Sequence, residues 1–251
     1  MAKTNLKQLG SDTAKGGFRN EDAVVVKFNN WQKDADAKEW LRLMGYNLKE
    51  IEKVVAVKIH GYKTDVQVQI TIYLKKAISA ENLSVKLVSN PQGFNQVDKR
   101  WVDSYVQMWD IPSKIATSLK LFTGEIKPNK SGLRDSRRMF LDEMNKETQI
   151  EVVDFFRENK ILIITDILKG RGKLSAGWML VALKNPMQNK RWVLKSINHA
   201  LNVFGKGDVL ITDKGSLRIG KITMQRKGGD AGRDTSKMLQ FKINPVELFN
   251  N

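Results

Sequence analysis

Apolar positions along the chain follow two periods, and the switches between them mark the elements. In NEDAVVVKFNNW (20–31), Ala23, Val24, Phe28 and Trp31 recur at helical spacing, with Asn20 as the N-cap and acids in the first turn. DAKEWLRLM (36–44) repeats the pattern through Trp40, Leu41 and Met44, and Gly45 ends it. A β-branched run follows at 54–59. From Val66 the alternation is strict. Val66, Val68, Ile70, Ile72 and Leu74 are set against Gln67, Gln69, Thr71 and Tyr73, which predicts a strand with one face in the core. LSVKLV (83–88) alternates likewise, with Leu83, Val85 and Leu87 inward.

Helical spacing returns in VDKRWVDSYVQMW (97–109) and again at 148–158, where Ile150, Val153, Phe155 and Phe156 recur. ILII (161–164) and WMLVAL (178–183) read as short buried strands, and 196–204 reads as a helix closed by Gly205. Further strands are expected at 209–212, 217–224 and 238–243. The order is neither βαβ alternation nor all-β. It predicts an α/β (α+β) fold: a central mixed β-sheet flanked by helices. With no repeat and no linker-like tract, a single domain over 1–251 is expected, with a catalytic core at about 15–110 and a basic lobe at about 160–251.

Composition narrows the function. Apolar content of 41% and charged content of 28% are those of a globular protein. No run approaches the roughly 18 apolar residues of a membrane span, and MAKTNLKQLG lacks the apolar centre of a signal peptide, so a cytoplasmic protein is expected. The absence of cysteine excludes a disulfide framework and thiolate metal sites, and two histidines, His60 and His199, are too few for a histidine-built metal centre. The net charge of +16 is uneven: 17 basic against 6 acidic residues from Lys160 onward leave +11 there and +5 in the first 159. Such a surface attracts a polyanion through counterion release along a phosphate backbone.

Two charged residues stand at polar positions of neighbouring strands. Asp65 shares parity with Gln67 and Gln69; Ser84 shares a side with Lys86, and Val85 points into the core between them. If these strands pair, Asp65 and Lys86 converge on one patch that suits phosphodiester hydrolysis. Asp65 and the backbone carbonyl of Val85 would hold Mg²⁺, a hard cation that takes oxygen ligands, and Lys86 would orient or deprotonate the attacking water. A strand-start Asp and a solvated Lys also occur in ordinary sheets, so both readings stand on spacing alone. Glu81 sits three residues before Ser84, on the opposite face, and is not a substitute ligand.

Two loops add nucleic-acid chemistry. NPQGFNQVD (90–98) carries Phe94, Asn95 and Gln96, types that stack on bases or hydrogen-bond to their edges, with Lys99 following. QRKGGDAGR (225–233) sets Gln225, Arg226, Lys227 and Arg233 among three glycines, where backbone amides approach phosphates and Arg forks onto guanine. Arg137 and Arg138 are further candidates for phosphate contact, and a solvated helix start is the competing reading of them.

The segments GFRNE, MGYNL, GYKTD, VKLVSN, GFNQVDK, FTGE, RRMF, TDILKGRG, QRKGGD and MLQFKINPVELF run through nearly the whole chain. In them the sequence resembles the HinP-type Type II restriction endonucleases, which cut GCGC. The resemblance implies a PD-(D/E)XK restriction-endonuclease-like fold, Mg²⁺ dependence, and cleavage of double-stranded DNA within a GCGC palindrome to leave short 5′ overhangs. It also implies a bacterial restriction-modification system with a cognate DNA methyltransferase, and a monomer or homodimer. By position, Asp65 matches the metal-binding aspartate, Lys86 the catalytic lysine, and Glu21 a glutamate that many such enzymes use to hold metal or water. Ser84 departs from the pattern: the superfamily has Asp or Glu there and HinP-type relatives have Gln, so Ser84 ligates metal directly or only through water. A DNA-binding protein on a nuclease fold, inactive because Ser84 has lost the ligand, is the alternative reading.

Overall fold

The structure, a computed structural model, describes residues 6–59, 68–185, 188–229 and 233–250. The chain forms two compact units: Met1–Asn95 with Leu168–Ala200 and Asn244–Asn251, and Gln96–Ile167 with Leu201–Ile243.

The first unit is built on a five-stranded sheet in the order β1-β2-β3-β5-β6. These strands are β1 (Ile51–Lys58), β2 (Val68–Leu74), β3 (Ala77–Val88), β5 (Trp178–Asn185) and β6 (Gln188–Ser196). β1, β2 and β3 form an antiparallel meander, β3 pairs in parallel with β5, and β5 turns antiparallel into β6. The sheet is mixed, as the element order predicts.

Helices α1 (Leu6–Asn29) and α2 (Ala35–Leu43) cover one face. Val24, Phe28, Trp40 and Leu41 from the helices close on Val54, Ile70, Leu83, Val85, Leu180 and Leu194 from the sheet. The register puts these strand residues on one side, in keeping with the period of two.

Asn20 is not an N-cap. It lies well inside α1, buried, because the helix continues through the glycine-containing segment before it. α2 does end as expected: Asp34 caps its start by accepting from the Ala37 N–H at 2.9 Å, and Gly45 takes φ 91° just past its end.

The second unit has its own five-stranded sheet, in the order β4-β10-β9-β8-β7. The strands are β4 (Asn95–Arg100), β7 (Val209–Ile211), β8 (Leu217–Ile219), β9 (Ile222–Arg226) and β10 (Leu239–Ile243), with only Asn95 lying in the first unit. Helices α3 (Val102–Trp109), α4 (Ser113–Thr123), α5 (Lys146–Glu158) and α6 (Lys160–Leu168) accompany it, and α7 (Ile197–Gly205) runs from the first unit into the second. Aromatic packing dominates its core. Tyr105 stacks on Trp109 at 4.8 Å, Phe241 meets both edge-on, and Trp109 donates from Nε1 to Asp166 at 2.9 Å.

Three stretches depart from their expected periods. The stretch 97–109 splits: Val97–Arg100 belong to β4, and only Val102–Trp109 are helical. ILII is the start of α6, not a strand. Ile163, Ile164, Ile167 and Leu168 are buried while Ile161 stays 84% exposed, a helical stripe inside an apolar run. The expected strand at 217–224 is two strands, β8 and β9, turned at Gly220, where φ is 58°.

Candidate active site and basic surface

Ser84 and Lys86 sit on β3 facing away from the helices. The register aligns them with Met179 and Val181 of β5, while Leu83 and Val85 align with Trp178 and Leu180 on the helix side. Neither residue is solvated: Ser84 is 1% and Lys86 7% exposed. An ammonium taken this far out of water carries a substantial desolvation cost, which an ordinary solvated sheet face does not impose. The Ser84 hydroxyl is buried and makes no hydrogen bond among the described residues. A buried hydroxyl without a partner costs about 1–3 kcal/mol, and such an atom marks where a ligand or water belongs.

β2 and β3 do pair, in antiparallel register, as convergence of the two strands requires. Asp65 itself lies outside the described residues, as do Val66 and Gln67. Val85 packs into the helix-side core. Glu21 is half-buried on α1, and its neighbour Asp22 accepts from Lys58 Nζ at 2.7 Å. Lys58, Val68 and Leu83 form one row across β1, β2 and β3, so this turn of α1 stands at the end of the sheet where Ser84 follows Leu83. Glu81 is on the opposite face from Ser84. Its carboxylate accepts from Tyr46 Oη at 2.7 Å and Trp178 Nε1 at 2.8 Å, and burial with that contact pushes the Tyr46 phenol up to about 12.

Among the described residues no group of three or more His, Asp or Glu could hold a metal ion. The Ser84 hydroxyl, the half-buried Glu21 carboxylate and backbone carbonyls make a sparse oxygen set, which fits Mg²⁺, an ion that keeps several waters and takes only one or two carboxylates.

The loop after β3 is tightly made. Asn90 accepts from the Gly93 N–H at 2.7 Å and from the Gln92 N–H at 3.0 Å, and a Cβ on Gly93 would come within 2.9 Å of the Asn90 carbonyl. Asn95 and Gln96 already belong to β4. Asn95 donates to the Leu87 carbonyl at 2.9 Å, so it ties the loop to β3. Phe94 is 54% exposed and Gln96 and Lys99 are exposed, as residues that meet a partner must be.

In the second unit β9 and β10 pair antiparallel around the QRKGGDAGR loop, with Arg226 opposite Leu239. Gly228 and Gly229 take φ of 64° and 61° at its tip, and residues 230–232 lie outside the described residues. Gln225 and Lys227 are half-buried and Arg233 is exposed. Arg226 donates from Nε to the Ser236 carbonyl at 3.1 Å.

Arg137 and Arg138 do not begin a helix; they sit in a turn segment between α4 and α5. The structure gathers them with Arg226. Burial depresses Arg138, as does the Arg226 charge; burial and Arg137 act likewise on Arg226. Beside Arg137 and Arg138 lies Asp135, which the sequence reading missed. Arg137 forks onto it at 2.8 and 2.9 Å and holds its carboxyl down to about 2. The one available signal was the mixed charge of RDSRR.

Two sheets with their helices make a restriction-endonuclease fold. The chain aligns with the crystal structure of the restriction endonuclease MspI in complex with its cognate DNA, at a TM-score of 0.65 over 94% of this chain and 92% of that one, with 11% sequence identity. The family model for the R.HinP1I restriction endonuclease matches residues 44–249, and the chain belongs to that family. It is a Type II restriction endonuclease of the HinP type. No curated protein matches it. No helix among the described residues is long and apolar enough to cross a membrane.

Proposed function

We propose that the chain hydrolyses double-stranded DNA within a GCGC palindrome, leaving short 5′ overhangs, with Mg²⁺ as cofactor. In this reading 1–251 acts as one endonuclease in the bacterial cytoplasm, beside a methyltransferase that protects the same site. The observation that carries it is the buried Lys86 two residues from the unpartnered Ser84 hydroxyl, on one face of a nuclease-fold strand.

Bound Mg²⁺ acidifies water and offsets charge on the phosphate. Asp65 and the Val85 carbonyl would hold it, Ser84 would bind it directly or through a water, and Glu21 would assist with metal or water. Lys86 orients the attacking water and balances the charge that builds on the non-bridging oxygens. The water oxygen bonds to phosphorus as one P–O ester bond breaks. The water gives up a proton and the departing oxygen gains one. Phe94 and Asn95 with Gln96 approach the bases, Phe94 as a wedge, while Lys99, Gln225, Arg226, Lys227 and Arg233 grip guanine edges and backbone. Arg137 and Arg138 meet phosphate.

Plasmid DNA incubated with the purified chain, with Mg²⁺ and with EDTA, tests this. Discrete Mg²⁺-dependent fragments ending within GCGC are expected. Fragments ending at another sequence would keep the enzyme and discard the site. Asp65→Ala and Lys86→Ala are expected to bind duplex as the wild type does and lose at least about 100-fold in cleavage rate; wild-type cleavage by either would displace the site. The serine in place of a carboxylate favours one second reading, a DNA-binding protein on a nuclease fold, which requires no nicking at any Mg²⁺ concentration.

A further inference from the structure

The loop that follows β3, residues 90–95, is held at two carbonyls. Asn95 donates from Nδ2 to the Leu87 carbonyl at 2.9 Å, and Asn244, 153 residues beyond Pro91, donates from Nδ2 to the Pro91 carbonyl at 3.1 Å. Phe94 stands between the two held residues, Pro91 and Asn95, and is 54% exposed, so the loop backbone sets its place. The other end of the Asn244 amide is engaged as well. Its Oδ1 accepts from the Val246 N–H at 3.1 Å and caps the 3₁₀-helix Pro245–Phe249. That helix is a firm base. Pro245 and Leu248 are buried, the helix packs against β3, β5 and β6, and the Arg191 guanidinium of β6 lies 5.2 Å from the centre of the Phe249 ring. Every one of these residues belongs to the first unit.

We infer that Asn244 is a positioning residue for DNA recognition, which holds loop 90–95 in place before duplex arrives so that Phe94 meets the bases. This rests on the reading of Phe94 as a wedge at the recognised site. A cap needs only an acceptor, and Ser or Asp supplies one equally well. Asn carries an NH₂ donor on the same carbon as that acceptor, so one side chain serves the helix and the loop together. A bond from a packed helix to an exposed loop restrains backbone that would otherwise be ordered at the moment of binding. Order established beforehand does not subtract from affinity. The contacts that gain are those of Phe94 with bases; phosphate contacts made elsewhere are indifferent to the loop.

The test measures binding of a duplex containing GCGC and of one lacking it, without Mg²⁺, together with the urea midpoint. It compares the wild type with Asn244→Ser, Asn244→Asp, Phe94→Ala and the double variant Phe94→Ala/Asn244→Ser. Asn244→Ser and Asn244→Asp keep a capping oxygen and lose the amide donor, so their midpoints should stay at the wild-type value. Both should bind the GCGC duplex about three- to tenfold less well relative to the other duplex. The charge of the Asp variant weakens both duplexes alike and leaves that ratio as the readout, and the neutral Ser variant checks it. Phe94→Ala should lower the same ratio, and adding Asn244→Ser to it should lower it no further, because Asn244 acts through the loop. A wild-type ratio in both Asn244 variants, with or without a lower midpoint, would leave Asn244 a cap only and overturn the positioning role. Equal losses on the two duplexes in Asn244→Ser would overturn it too, as would a double variant whose losses add. Phe94→Ala at the wild-type ratio would sink the wedge and the positioning role with it. Wild-type protein that binds the two duplexes alike would sink the GCGC reading itself.

Discussion

Among the described residues the buried Ser84 hydroxyl has no hydrogen-bond partner, two residues from the buried Lys86 on the same strand face. Ser84→Ala removes a polar atom that gains nothing from its surroundings. Its unfolding free energy in urea is expected to match the wild type or exceed it by up to about 1 kcal/mol. A loss larger than that would mean the hydroxyl is bonded in the folded protein. Trp109→Phe makes the opposite case. It strips the buried Asp166 of a 2.9 Å donor and should cost about 1–3 kcal/mol in the same assay. The comparison separates polar atoms that hold the fold from those kept for chemistry.

At the scale of elements, the arginine segment depends on Gly215. That residue holds φ 70°, and a Cβ there would run into Asp142, Phe140 and Arg134. Gly215→Ala is expected to destabilise by roughly 2 kcal/mol or more, read as a lower urea midpoint, from backbone strain and overlap together. Asp135 gives this segment a pH dependence. Its folded pKa of about 2 lies below the ordinary 3.8, so its contribution is fully present above about pH 4. It fades as pH falls through about 2. The stability gap between wild type and Asp135→Asn should close over that window and stay constant above it. Elements with a clean period were legible in the sequence: β2, β3, α2 and α5 stand where alternation or helical spacing puts them. The misread ones had local reasons. In α6 nearly every early residue is apolar, so the stripe that separates Ile163 from Ile161 is visible only once packing assigns the faces. β4 abuts α3 with one residue between them, and the pattern runs on across the join. On the site, parity placed Ser84 and Lys86 together and Glu81 apart, but the burial of both depends on contacts between distant segments.

For the whole molecule, the charge of +16 sets how binding responds to salt. If six or more phosphates are neutralised, duplex affinity should fall roughly 1,000-fold between 50 and 200 mM salt, in a filter or anisotropy assay. A shallow response would limit DNA contact to a few side chains. The parallel pairing of β3 with β5 bears on how the enzyme comes into being. It joins Leu83 to Trp178, so the strand bearing Ser84 and Lys86 is the open margin of a three-stranded meander until a segment more than ninety residues further along the chain docks beside it. Under the role proposed for those two residues, the chemistry waits on the slowest kind of pairing a sheet makes, and no local hairpin can complete it.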